Sequence, residues 1–232
     1  MFNLKKAVNY FSKTEIALWT SSAALIILSF IAFDRENYLT LTASLIGVTS
    51  LIFNAKGHPF GQLLMVLFSL MYGMISFTFA YYGEMITYLG MTMPMAMLAL
   101  ISWLTHPYNG NRSEVSVNRV GKAEILFTCL SAAVVTLIFY CILAYFNTAH
   151  LLPSTLSVTT SFIAVYLTFR RSQYFALAYA SNDVVLIVLW ILASMERIQY
   201  ISVVVCFVAF LLNDIYGFVN WRRMAKRQGA GG

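Results

Sequence analysis

Charged residues are scarce in this chain. Lys, Arg, Asp and Glu make up 10% of its 232 residues, whereas hydrophobic residues make up 60% and the mean hydropathy is +0.75. A soluble domain carries about 25% charged residues, and a compact soluble fold of this size has too little interior to hide so much apolar surface. The sequence therefore predicts a membrane protein, with lipid as the solvent for most of its surface.

Several signatures of catalysis and cofactor binding are also missing. The sequence has no nucleophile placed beside a base, no His cluster, no Gly-rich phosphate cradle and no ATP-binding motif. Its three cysteines lie in apolar stretches and lack disulfide or metal-ligand spacing. No lysine lies inside such a stretch, which excludes a retinal protein because the Schiff base needs one. We therefore predict a protein that is not an enzyme and that needs neither a cofactor nor a metal ion.

Eight apolar stretches are long enough to cross a bilayer, which takes about 20 residues each. We number them span one to span eight, and the second and sixth are short. They cover residues 16–33, 39–53, 60–82, 85–104, 123–146, 153–169, 174–195 and 198–221. The connecting loops are too short to form a soluble domain, so we predict an all-α protein with one membrane domain.

Basic residues fall mainly on one side of the predicted bilayer. Thirteen lie in the amino-terminal segment, the even-numbered loops and the tail, against two in the odd-numbered loops, Arg35 and Arg197. Cytoplasmic loops carry such an excess, so we expect a bacterial inner-membrane protein with both termini in the cytoplasm. The net charge of +6 then reflects topology and attraction to lipid head groups, and it does not imply nucleic-acid binding.

The chain contains an internal repeat of three spans. Among other identities, a shift of 117 residues places Ser44 of span two on Ser161 of span six, and a shift of 112 places Glu84 of span four on Glu196 of span eight. Parallel repeats of this kind occur in transporters, which hold the substrate near the midplane between them. We predict a core over 36–227, with repeats at 36–105 and 153–224 and a linker helix at 122–147; residues 1–35 add a peripheral first helix.

Two carboxylates lie well inside predicted spans. Asp183 in span seven follows Asn182, and Asp214 in span eight follows Asn213. Charged groups are costly in hydrocarbon, so these residues should face a polar interior. With a rise of 1.5 Å per residue, both should lie roughly 10 to 14 Å from the inner boundary, and we expect them to be neighbours. Hydrogen bonding between helices is the alternative role for such groups.

Polar and aromatic side chains recur at helical spacing on three spans. Span three carries one such stripe, formed by Gln62, Met65, Ser69, Tyr72 and Ser76. Trp and Tyr offer flat surfaces to a ring, and Asn and Gln offer donors and acceptors to amides and hydroxyls. The candidate substrate-binding residues are Gln62, Tyr72, Tyr179, Asn182, Asp183, Trp190, Asn213, Asp214 and Tyr216. Pro94 should bend span four, as a hinge or as a static kink.

Three features of residues 38–227 together point to a known family. They are the 3+1+3 layout, the stretch Phe79-Ala80-Tyr81-Tyr82-Gly83-Glu84, and the closing Asn213-Asp214-Ile215-Tyr216-Gly217-Phe218-Val219-Asn220-Trp221 followed by Arg222-Arg223. In these features the chain resembles the PnuC family of bacterial vitamin transporters. The resemblance implies a fold like that of SWEET sugar transporters, uptake of nicotinamide riboside by facilitated diffusion, trapping by a cytoplasmic ribosylnicotinamide kinase, and a trimer. SWEET repeats carry matched prolines, whereas Pro94 has Cys206 at its expected repeat equivalent.

The candidate residues suit this substrate. Nicotinamide riboside is a flat pyridinium cation with an amide and a ribose, so aromatic rings could stack on it, Asp183 or Asp214 could offset its charge, and amides could bind its polar groups. Two alternatives remain open. One is a transporter for another vitamin or nucleoside, such as thiamine or riboflavin, on the same fold. The other is a membrane assembly subunit that transports nothing.

Overall fold

A computed structural model of the chain describes residues 10–78, 81–148 and 150–229. Lys5 and Lys6 of the charge count and the pair Phe79-Ala80 of the Tyr-rich stretch lie outside the described residues.

Eight helices of the described residues are long and apolar enough to cross a membrane, which confirms the predicted number. Span three ends at Thr78 and span four begins at Tyr82, so the boundary expected between them was a few residues off. Span eight continues two turns beyond its expected end. The spans cover Lys13–Phe33, Tyr38–Ala55, Phe60–Thr78, Tyr82–Thr105, Lys122–Tyr145, Leu151–Phe169, Phe175–Ser194 and Ile198–Arg227.

Span one begins with a capping box. The Ser12 hydroxyl accepts the N–H of Glu15 at 3.2 Å, and the Glu15 carboxylate accepts the N–H of Ser12 at 2.7 Å. Glu15 is buried and also pairs with the Lys56 ammonium at 3.2 Å. These contacts fix the start of span one against the end of span two.

Spans two and six end with the same turn. Gly57 and Arg171 adopt positive φ angles of 68° and 55°, and in both cases the N–H of the next residue bonds to the carbonyl five residues earlier. These equivalent residues are 114 positions apart. The shift of 117 expected from the sequence is therefore wrong by three residues at this end, because a shift of almost one helical turn still superposes similar apolar side chains.

The packing of the spans follows the predicted duplication. In each repeat the first span packs on the middle one and the middle one on the third, and the third span of each repeat packs on the first span of the other. Span one packs on spans two and eight, and span five on span six. The two repeats thus form a pseudo-symmetric core with two peripheral helices.

The end of the bundle that holds both described termini, called the basic end below, carries a short β-hairpin in the loop after span four. Its strands are β1 (Pro107–Tyr108) and β2 (Asn111–Val115). The Val115 N–H donates to the Gly57 carbonyl at 3.0 Å, and the Asn118 N–H donates to the Arg171 carbonyl at 3.0 Å. The loop therefore ties together the equivalent turns of the two repeats. We call the opposite end of the bundle the far end.

Span four is irregular around its proline. It contains a π-helical turn over Tyr88–Thr92, after which a regular helix runs over Met93–Thr105. Pro94 has no N–H to donate to the preceding turn, and the Met93 N–H bonds to the Tyr88 carbonyl, five residues back. This irregular turn lies directly before the proline at which the sequence predicts a bend.

Candidate functional site

A small cavity lies between the repeats, about halfway along span seven. Its volume is about 30 Å³, enough for roughly one water molecule. A solute as large as a nucleoside does not fit into the cavity in this conformation. The lining residues are Leu51, Met65, Phe68, Tyr88, Thr92, Ser161, Tyr179, Asn182, Asp183, Phe207, Phe210 and Asp214.

Asp183 and Asp214 meet at this cavity. Their exposed fractions are 3% and 4%, and both side chains line the same small cavity. The expectation that they are neighbours is therefore confirmed. No lysine or arginine is among the described residues that line the cavity. Two carboxyl groups without a basic partner in a buried site can bind a cation or a neutral hydrogen-bond donor.

Asn182 is oriented by two hydroxyl groups of span six. Its Oδ1 accepts hydrogen bonds from Thr160 at 2.8 Å and from Ser161 at 3.1 Å. Because the oxygen is occupied, the amide offers its NH₂ group to a ligand. Tyr179 lies one turn earlier on span seven and lines the same cavity. All the amide and carboxyl groups of the cavity come from the second repeat, whereas the first supplies Thr92 and a set of apolar and aromatic side chains.

Two of the expected site residues face span one instead. The Asn213 amide donates to the Ser22 hydroxyl at 2.9 Å and to the Ala209 carbonyl at 2.7 Å. The Tyr216 hydroxyl donates to Glu15 at 3.1 Å. Successive helical residues point about 100° apart, so Asp214 faces the cavity while Asn213 faces away. Asn213 and Tyr216 therefore do not line the cavity that holds Asp183 and Asp214, contrary to the expectation from the sequence.

Gln62 belongs to a polar network nearer the basic end. Its amide donates to Asn54 Oδ1 at 2.8 Å, the Asn54 amide donates to the Ser50 hydroxyl at 3.2 Å, and Ser50 donates to the Gly61 carbonyl at 2.8 Å. This network joins spans two and three. The structure therefore places Gln62 away from the cavity, with its amide nitrogen already bonded.

Tyr72 and Trp190 belong to an aromatic cluster that covers the cavity toward the far end. The Tyr72 ring lies 4.4 Å from that of Tyr88 and 6.3 Å from that of Trp190. Trp190 in turn contacts Tyr81 at 5.1 Å and Tyr200 at 5.5 Å. We call Tyr72, Tyr81, Tyr88, Trp190 and Tyr200 the far-end cluster.

A second aromatic cluster covers the cavity toward the basic end. It is formed by Trp103, Phe175 and Trp221, each about 1% exposed or less. Trp103 and Trp221 occupy equivalent places in the repeats and are 118 positions apart. On that register the equivalent of Pro94 is Leu212, so the expected match to Cys206 is wrong. Span eight still has no proline at this level.

Several lining residues were not predicted as site residues. Tyr88 and Thr92 reach the cavity from the π-helical turn of span four, and such turns are frequent at functional sites. Pro94 was the available signal, since it marks the break in the helix. Phe207 and Phe210 of span eight gave no signal, because buried phenylalanines are common in any apolar helix.

Comparison with known proteins agrees with this architecture. A family model described as nicotinamide mononucleotide transporter matches residues 37–223. A curated relative, the nicotinamide riboside transporter PnuC of Neisseria mucosa, is 24% identical over 221 residues, which cover 90% of this chain and 84% of that protein. A crystal structure of the vitamin B3 transporter PnuC has the same fold, with a TM-score of 0.82 over 94% of both chains at 21% identity. This chain is a multi-pass membrane protein that belongs to the nicotinamide mononucleotide transporter family, the family of the PnuC transporters.

Proposed function

We propose that this protein takes up nicotinamide riboside across the bacterial inner membrane, with both termini in the cytoplasm. The observation that carries the proposal is the cavity between the repeats, where Asp183 and Asp214 face an aromatic wall and no described basic residue is present. The name of the Neisseria relative supports the choice of substrate. The excess of basic residues at the basic end supports the orientation.

The chemistry of the cavity suits each part of this substrate. The pyridinium ring carries a positive charge, which the carboxyl pair can offset and which Phe68 and Tyr88 can bind through their ring faces. The Asn182 NH₂ group can donate to the carboxamide oxygen or to a ribose hydroxyl. Each such contact contributes about 1 to 2 kcal/mol, which leaves micromolar affinity after the loss of freedom on binding.

Binding requires the two aromatic clusters to separate alternately. The far-end cluster and the Trp103 cluster both close the cavity in this state, whose volume is only about 30 Å³. Opening at one end would admit the riboside, and opening at the other end would release it. We propose Pro94 as the hinge in the first repeat, since the π-helical turn beside it carries two cavity residues.

The riboside suits this site better than its phosphorylated form. The family description names the mononucleotide, and the relative's name specifies the riboside. A phosphate group brings up to two negative charges toward two buried carboxyl groups, with no described lysine or arginine in the lining to bind it. Charge repulsion therefore favours the riboside.

Calorimetry on the purified protein tests the substrate. We expect micromolar binding of nicotinamide riboside and at least tenfold weaker binding of the mononucleotide, nicotinamide and riboflavin. Equal affinity for riboside and mononucleotide would overturn this description of the site. Thiamine is also a ring cation. If the protein binds thiamine more tightly than the riboside, thiamine is the substrate instead. Asp183→Asn is the matched variant that tests the role of the carboxyl charge in binding, because it keeps the shape of the side chain and removes its charge.

Transport by facilitated diffusion is tested separately in proteoliposomes. With no nucleotide-binding motif in the sequence, we propose that net uptake depends on a cytoplasmic ribosylnicotinamide kinase that traps the product. Vesicles should then equilibrate the riboside in both directions without a pH or sodium gradient. Accumulation above the external concentration that an uncoupler abolishes would contradict this. The trimer implied by the family resemblance is tested by light scattering on the detergent-solubilised protein.

A further inference from the structure

The middle spans of the two repeats carry buried polar atoms that have no hydrogen-bond partner within the described part of the chain. On span three these are the hydroxyls of Ser69, Tyr72 and Ser76. On span seven they are Asp183 Oδ2 and the Trp190 indole nitrogen. Both serines are 0% exposed, so neither hydroxyl is open to bulk solvent.

Four of these five atoms fall at equivalent places in the two repeats. The 114-residue relation seen at the ends of spans two and six continues into spans three and seven, whose first turns close with matching backbone bonds. On this register Ser69 corresponds to Asp183, and Ser76 corresponds to Trp190. Equivalent residues of parallel repeats lie at the same depth. The unpartnered groups therefore form two levels, one at the cavity and one in the far-end cluster.

Thr40, Thr148 and Asn213 also carry such an atom, whereas other buried hydroxyls close to the middle spans have partners. Ser50 donates to the Gly61 carbonyl at 2.8 Å, and Thr87 donates to the Gly83 carbonyl at 2.9 Å. A buried hydroxyl without a partner costs the fold free energy. Ser69 and Ser76 lie two helical turns apart on one face of span three. This face therefore holds two buried hydroxyls without partners, and each of them destabilises the fold. Such a face is explained if its hydroxyls are bonded in another state of the protein.

We infer that Ser69 and Ser76 line the substrate path between the repeats and bind the hydroxyl groups of the solute, Ser76 at the level of Trp190 and Ser69 at the level of Asp183. The inference rests on the proposed function and deepens it. A ribose has hydroxyls that both donate and accept, as a serine does. The flat ring of the solute would lie against Trp190 and then against the cavity wall, while the serines hold its sugar.

The test compares stability with binding in matched alanine variants. Ser69→Ala and Ser76→Ala remove groups that have no partner in the closed state, so the melting temperature should stay the same or rise. Ser69→Ala should weaken nicotinamide riboside binding by about five- to tenfold in calorimetry. Ser76→Ala should slow initial uptake in proteoliposomes by a similar factor.

Ser50→Ala is the control, since Ser50 is equally buried and fully bonded. It should melt lower and bind the riboside with wild-type affinity. Serine variants that keep wild-type affinity and uptake, or that melt lower as Ser50→Ala does, overturn the inference. Failure of the proposed substrate appears separately, as absence of riboside binding by the wild-type protein. The melting comparison does not depend on the substrate, so it still tests whether the two hydroxyls lack partners in the closed state.

Discussion

Trp103 and Trp221 lie ring against ring at the basic end, with centroids 5.4 Å apart, and each indole N–H donates to the other repeat. Trp103 donates to the Thr168 carbonyl at 3.0 Å, and Trp221 to the Asn54 carbonyl at 2.8 Å. The residue before each tryptophan bonds to the next carbonyl along the chain. The Ser102 hydroxyl donates to the Phe169 carbonyl, and the Asn220 amide donates to the Ala55 carbonyl. Four equivalent bonds thus join the repeats on this side of the cavity.

The two tryptophans should contribute equally to stability. Trp103→Phe and Trp221→Phe each keep a ring and remove one indole hydrogen bond, worth about 1 kcal/mol. Each carbonyl keeps a backbone N–H partner, so neither is left unpaired. Both variants should melt about 2 to 4 °C lower in a fluorescence melt. Trp19→Phe, whose N–H donates to Thr49 on the exposed side of span one, is the control and should change less. A loss confined to one tryptophan would contradict the symmetric arrangement.

Asn182 and Asn213 should differ in their effects, although both precede a cavity aspartate. Asn182→Ala removes an amide that lines the cavity and should weaken riboside binding by about 1 to 3 kcal/mol. Asn213→Ala removes the bond to Ser22 and should lower the melting temperature with little change in affinity. Calorimetry and thermal melts on both variants decide the point. Reduced affinity in Asn213→Ala with an unchanged melt would place this asparagine in the substrate path.

The sequence predicted the spans and the aspartate pair but not the faces of the helices. Span number follows from hydropathy, and the depth of Asp183 and Asp214 follows from helical rise, because neither depends on packing partners. The direction in which Asn213 points depends on where span one packs, and span one lies outside the repeat. The repeat register was wrong for a different reason, since a shift of three residues is close to one helical turn and still superposes similar side chains.

His58 should make stability depend on pH. It lies in the turn before span three, beside Phe53 and Tyr10, and burial lowers its pKa. The folded state therefore binds the proton less tightly than the unfolded state, whose histidine pKa is about 6.5. Stability from this residue is complete at higher pH and is lost as the pH falls from about 6.5 through the lower folded value.

The variant His58→Asn isolates this effect. His58 Nδ1 accepts the Phe60 N–H at 3.1 Å, and an asparagine oxygen can accept the same bond without titrating. Between pH 7.5 and pH 5, the wild-type protein should lose more melting temperature than the variant. If melting temperature falls equally with pH in the two proteins, His58 gains a compensating partner when it is protonated.

Pro94 should set the shape of span four. In Pro94→Ala the restored N–H can donate to the carbonyl of Gly90, which favours a continuous α-helix in place of the π-helical turn over Tyr88–Thr92. Removing the extra residue of a π turn rotates the preceding helix by about 100°. Tyr88 and Thr92, which line the cavity, would then turn away from it. We expect several-fold slower riboside uptake and a melting temperature that does not fall.

Pro153→Ala is the matched control for this change. Pro153 lies in the first turn of span six, where an N–H would have no partner within the helix, so uptake should stay at the wild-type level. If Pro94→Ala also transports normally, packing rather than the proline maintains the π turn, and Pro94 is not the hinge. If uptake falls while riboside affinity is retained, the proline acts on the movement of span four and not on the binding site. Retained affinity would also show that Tyr88 and Thr92 still line the cavity, whereas a joint loss of affinity and uptake would show that the proline shapes the site by maintaining the π turn.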